Sequence, residues 1–211
     1  MSSVRELEAK CSIERKQLMQ YLLNYLVQEG VIAELQQETG TTSLGVSVME
    51  PSIVLKGTNL QKIRLTAADS FGCGPGNFVR FQYEINLGRE LSSEQIKKLN
   101  AVTRIIKEGK ILKIFGGRAA EVKWVGQTLA DLLNQDPSIG ADLLNSAKSW
   151  GEIEVVIEAS SSGDVIITGP RYSNPSMIVK LYDSEYKKEI QKGIFAYQTA
   201  DKIAGHIRKV A

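Results

Sequence analysis

FVRFQYEINL, residues Phe78 to Leu87, alternates apolar and polar side chains along its length. Val79, Phe81, Tyr83, Ile85 and Leu87 fall on one side of an extended chain, and Arg80, Gln82, Glu84 and Asn86 on the other, because successive side chains of a strand point to opposite faces. A strand with one dry and one wet face suits an antiparallel sheet. Strands of a doubly wound parallel sheet are covered on both faces and read as unbroken apolar runs. The stretch therefore predicts an α+β chain: an antiparallel or mixed sheet of about six to eight short strands with helices on one side, flanked by an N-terminal and a C-terminal helix.

The segments on either side fit that class. Upstream, Ser3 with Glu6 matches a capping box, and Val4, Leu7, Cys11, Leu18, Leu22 and Tyr25 recur near helical spacing until Gly30, which predicts a helix of about 25 residues. QQETGTTS, Gln36 to Ser43, reads as a loop, and LGVSVM, SIVLK and QKIRLTA read as short strands. Downstream, Ser92 with Gln95 makes a second capping box, and the stripe Ile96, Leu99, Val102, Ile105, Ile106 predicts a helix up to Gly109. KILKIF, Lys110 to Phe115, reads as a strand, and Val122, Val125, Leu129, Leu132 and Leu133 as a helix opening near Arg118. Asp136 before Pro137 starts a further helix that runs to Trp150. EIEVVIEA and DVIITG read as strands joined by the turn SSSG, and SMIVKLY as one more. The chain closes on a helix lined by Tyr186, Ile190, Ile194, Tyr197, Ala204 and Ile207. No repeat or Pro-rich linker divides it, so an N-terminal helical segment over 1–35 and an α+β part over 36–211 read as one domain.

With 211 residues, 43% apolar and 24% charged, the chain can bury a core without staples. Its longest apolar runs fall well short of the roughly 20 residues that cross a bilayer, so no membrane role is expected. The acids near the N-terminus do not suit a secretory signal. Cys11 and Cys73 are too few for a disulfide framework, so a cytoplasmic protein with reduced thiols is expected. The net charge of +2 conceals a segregation. Lys97 to Lys123 holds eight basic residues against Glu108 and Glu121, whereas Trp124 to Asp164 holds seven acids against Lys148 alone. Such neighbours either complement each other in the fold or leave a positive face for a polyanion.

Candidate chemistry is sparse. FGCGPGN, Phe71 to Asn77, carries Cys73 in a glycine-rich turn. It lacks the Lys and Ser or Thr of a phosphate loop, and it leads into a strand, with no helix end to face an anion. A catalytic thiol at Cys73 would need a proton acceptor, and His206 is the only histidine. One histidine and two cysteines without a CxxC motif give no expectation of a metal site, and no cofactor is expected. Gly116, Gly117 and Arg118, with Lys110 and Lys113 nearby, would form an anion site if a helix N-terminus follows the glycines.

The strongest interaction signal lies in LMQYLLNYLV, Leu18 to Val27. Leu18, Met19, Leu22, Tyr25 and Leu26, with Tyr21, Leu23 and Val27, put apolar side chains on more faces than one buried side of a helix accounts for. The leading expectation is a non-enzymatic assembly or regulatory protein that self-associates through this helix or binds a protein partner. Two others stand beside it: a nucleic-acid or phosphorylated-ligand binder using residues 97–123, with weak polyanion binding, and a cysteine-dependent enzyme using Cys73 with His206.

Overall fold

A computed structural model describes residues 4–41, 47–68, 78–108, 118–150, 154–173 and 183–211. Among them are five helices: α1 (Val4–Gln28), α2 (Ser93–Leu99), α3 (Thr128–Gln135), α4 (Pro137–Trp150) and α5 (Asp183–Val210). The eight strands are β1 (Ile32–Thr41), β2 (Ser47–Lys56), β3 (Lys62–Ala68), β4 (Phe78–Asn86), β5 (Ala101–Glu108), β6 (Arg118–Gly126), β7 (Val156–Ala159) and β8 (Asp164–Ser173). They pair antiparallel in the order β1-β2-β3-β4-β8-β7-β5-β6. The fold is α+β, as the alternation of β4 predicts. Phe81, Tyr83 and Ile85 are buried, and the intervening Gln82 and Glu84 are half-exposed.

The chain resolves into two compact units, Met1–Tyr83 with Arg171–Tyr197 and Glu84–Pro170 with Gln198–Ala211. In the first, α1 packs on β1 and β2. Leu18, Met19, Leu22 and Leu26 lie on one arc of the helix and are buried, as are Ile53 and Leu55 of β2 and Ile63 and Leu65 of β3. Each such side chain contributes about 2 kcal/mol of burial. The helix ends where Gly30 takes a φ of 83°. Its N–H and that of Val31 close back on the carbonyls of Val27 and Leu26, a conformation glycine adopts without strain.

β1 is a correction. Gln36 to Thr41 belongs to the strand and is paired residue by residue with β2, from Ile32 opposite Lys56 to Thr41 opposite Ser47. A strand at the end of the sheet order buries little, so its polar side chains carry no apolar period. Ser47 to Met49 of LGVSVM and the whole of SIVLK likewise belong to the one strand β2, which runs through Pro51, and Leu44 to Val46 lie outside the described residues. The ladder to β3 covers Ser52 to Val54 and stops beside Pro51, which has no N–H to donate.

In the second unit, α3 and α4 pack on β6, and α2 contacts β7 and α3. Leu129, Leu133, Ile139 and Leu143 from the helices are buried, with Val122, Trp124, Ile157, Val165 and Ile167 from the strands and Ile203, Ala204 and Ile207 of α5. The capping box of Ser92 and Gln95 is present, but α2 ends at Leu99. Val102, Ile105 and Ile106 lie in β5, not in a helix. Ala101 and Thr103 are buried while Val102 and Arg104 are exposed, so period two wins in this β-branched run. Val122 and Val125 likewise lie in β6 on opposite faces, the first buried and the second exposed. KILKIF and SMIVKLY lie outside the described residues. No described helix is long and apolar enough to cross a membrane.

Candidate functional site

Among the described residues, β1 is the end strand of the sheet order, with no neighbour on its outer side. The Leu55 N–H donates to the Gln61 carbonyl at 2.8 Å, so β2 turns its backbone toward β3 at that position. Bonded and non-bonded pairs alternate along an antiparallel ladder. Leu55 and Ile53 therefore form non-bonded pairs with Ala33 and Leu35, and the N–H and C=O groups of Ala33, Leu35 and Gln37 turn outward, away from β2. Ten consecutive pairs run without a register shift. β1 contains neither Pro nor Lys, two of the devices that blunt an open edge.

The acids of β1 do not blunt it either, because cations of its own sheet hold them. Glu38 accepts from Lys62 at 2.6 Å and pairs with Arg64 at 3.0 Å. The Lys62 hydrogen bond holds its carboxyl below the usual carboxylate range, with Arg64 adding to the effect against a partial desolvation. Glu34 accepts from the Gln36 amide at 2.8 Å and lies 3.6 Å from Lys56.

The opposite end of the sheet is treated differently. At Trp124 of β6, the outward N–H donates to the Asn134 carbonyl oxygen at 2.8 Å, and the Asn134 amide donates to the Trp124 carbonyl at 3.0 Å. One side chain from α3 thus makes both bonds that another strand would make there. Beside it lies a groove of about 450 Å³ lined by Val122, Trp124, Leu133, Asn134, Asp136 and Leu144 among others. Its polar side chains are already engaged. Asn134 holds Trp124, Glu121 lies 3.6 Å from Lys123, and Asp136 caps α4.

Asp136 accepts from the Ser138 hydroxyl at 2.7 Å and the Ser138 N–H at 2.9 Å, and lies 2.9 Å from His206 Nε2. The Ser138 hydroxyl, then His206, then the α4 backbone hold its carboxyl far below the usual range, against some desolvation. A depressed native pKa stabilises the fold above the unfolded value near 3.9, and that contribution fades as pH falls below it. Asp136→Asn, which keeps a capping oxygen but removes the charge that Ser138, His206 and the α4 backbone hold, is expected to lower the melting temperature of the second unit at pH 7 by the equivalent of about 1 kcal/mol, the difference between a charge-assisted and a neutral hydrogen bond. The gap from wild type should narrow as the pH is lowered toward 3. Melts at matched pH check this, and a gap constant with pH contradicts it.

The remaining sequence candidates are placed as follows. Cys73, Lys110, Lys113, Gly116 and Gly117 lie outside the described residues. Arg118 opens β6, so a strand stands where the anion-site reading needs a helix N-terminus. His206 is joined to Asp136. Leu18, Met19, Leu22 and Leu26 are in the core, and Tyr25 is half-buried. Among the described residues no three His, Cys, Asp or Glu side chains gather to hold a metal. The β1 edge, which sequence reasoning missed, had one available signal: β-compatible Thr39 and Thr41 next to the alternating Ala33 and Leu35. Comparison with family models, curated proteins and solved structures finds no match for this chain.

Proposed function

We propose that this protein works by binding, as an assembly component that self-associates through its N-terminal unit in a reducing cytoplasm. One observation carries the reading. Tyr21, Val27 and Ile32 are 47%, 53% and 67% exposed, and these large apolar side chains fall close together in the chain, where α1 turns into β1. Exposed apolar surface that gathers into a patch marks interfaces more often than bare solvent-facing surface, and on this reading the three side chains border one such patch. The contact surface is then the outer flanks of α1 and the adjoining β1 edge, with Leu18, Met19, Leu22 and Leu26 holding the unit together from within. Molar mass by light scattering between about 1 and 100 µM tests it, a range that brackets micromolar dissociation constants. A mass that rises toward a multiple of 23.2 kDa is expected, and a constant monomer mass would sink the reading.

A second reading rests on β5 and β6. Arg104 stands directly opposite Lys123, and both are exposed beside the exposed pair Val102 and Val125. Like charges directly opposed cost stability; Glu121, 3.6 Å from Lys123, offsets part of that cost, and an added anion would offset more. On this reading the protein is retained on heparin with steep salt dependence, and Arg104→Ala with Lys123→Ala lowers the salt slope by about two. Elution at the lowest salt excludes it.

A further inference from the structure

We infer that β1 pairs with β1 of a second copy of this chain, antiparallel, about a two-fold axis passing through Leu35. This rests on the self-association reading and names its seam.

The edge is self-complementary. Ala33, Leu35 and Gln37 each turn one N–H and one C=O outward, by the alternation set at Leu55. A two-fold axis at Leu35 places Leu35 against itself and Ala33 against Gln37 of the partner copy. All three are then bonded pairs, which together use the six outward groups. A closed two-fold interface presents the same patch from both subunits, and a two-fold axis normal to a sheet makes the joined strands antiparallel. The two sheets become continuous, with α1 of each copy on the same face.

The side chains choose this register over its neighbours. Moving the axis one residue toward the N-terminus, to Glu34, sets Glu34 against Glu34, and one residue the other way, to Gln36, sets Glu34 against Glu38. Like charges directly opposite each other are unfavourable. With the axis at Leu35, Glu34 faces Gln36 of the other copy. The Gln36 amide already donates to Glu34 within the strand, and it can donate equally across the seam. Ile32 faces Glu38, which is turned away to Lys62 and Arg64. Ile32, the most exposed large apolar side chain among the described residues, is thereby covered. The contrast with β6 points the same way. The chain fills the open backbone of Trp124 with Asn134 and sets a register shift into the β5–β6 pairing between Ile106 and Lys107, whereas β1 carries neither device.

Two substitutions test the seam in the full chain. Gln37→Pro removes an outward N–H and leaves the ladder to β2 intact, because Gln37 faces Pro51 in a non-bonded pair. The two-fold axis removes that bond twice. At roughly fivefold each, dimerisation should weaken about twenty-five-fold with the circular dichroism unchanged. Leu35→Cys, with Cys11 and Cys73 replaced by Ser, should cross-link to itself on oxidation, since a bonded pair sets its Cα atoms about 5.5 Å apart, within disulfide reach. Glu34→Cys in the same background should not. If Gln37→Pro misfolds, the cysteine pair still decides. A dimeric wild type whose Leu35→Cys form does not cross-link overturns the seam and leaves the self-association reading standing. A wild type monomeric throughout, the result expected if the edge takes a strand from another protein, overturns both.

Discussion

Replacing Leu22 and Leu26 together by glutamate is expected to unfold the N-terminal unit, with no folded subunit released. Their side chains are 1% and 0% exposed. They stand one helical turn apart on the arc that Leu18 and Met19 complete, over β1 and β2. Truncating either to alanine would cost about 2–5 kcal/mol. Glutamate adds the cost of a carboxylate with no cation to meet it, several kcal/mol for each site even after relaxation. Two such changes exceed the roughly 5–15 kcal/mol that holds a domain folded. Far-ultraviolet circular dichroism with hydrogen exchange of α1, β1 and β2 should show lost protection in that unit. Tyr21→Ala, 47% exposed, should cost monomer stability far less, about 1 kcal/mol or below. A folded, protected Leu22→Glu, Leu26→Glu protein would mean that the arc does not face the core.

The same helix marks the limit of what the chain discloses before folding. Its apolar girdle is legible, and so is the excess over one buried face. Which arc turns inward depends on how β1 and β2 lie beneath it, and periodicity alone cannot rank Leu22 above Tyr21. β4 is read correctly because one face is dry and one wet. β1 escapes notice because an end strand has little to bury: Glu34, Gln36 and Gln37 are exposed, so only pairing with β2 marks it as a strand. β5 is missed for a different reason. Val102, Ile105 and Ile106 satisfy a helical spacing, whereas a strand sets Ile105 on the face opposite Val102 and Ile106, and the β-branched side chains outweigh that spacing only once the sheet is in place. The cap at Asp136 is visible from Asp-Pro alone, but its contact with His206, 70 residues away, is not. Nor is the Asn134 clamp, because its partner is a backbone, and every residue has one.

Gly163→Ala should destabilise the second unit far more than Gly88→Ala, although both glycines take positive φ, 86° and 70°. In both, a side chain is forced into the left-handed region, a cost of about 1 kcal/mol. The difference is space. A Cβ at Gly88 meets nothing within 4 Å, whereas a Cβ at Gly163 would run into the backbone carbonyl of Arg89. Nothing flexible is there to yield. The Leu87 N–H donates to the Gly163 carbonyl at 2.9 Å and the Leu91 N–H to that of Ser161 at 3.0 Å, so the 87–91 segment is held against the β7–β8 turn on both sides of the clash. Relief requires parting the turn from that segment, with the loss of both bonds at about 1 kcal/mol each. The total is about 3 kcal/mol for Gly163→Ala against about 1 kcal/mol for Gly88→Ala. Paired urea titrations should show the gap as a difference in midpoint at equal slope. Equal midpoints for the two variants would mean that the turn does not seat on Arg89.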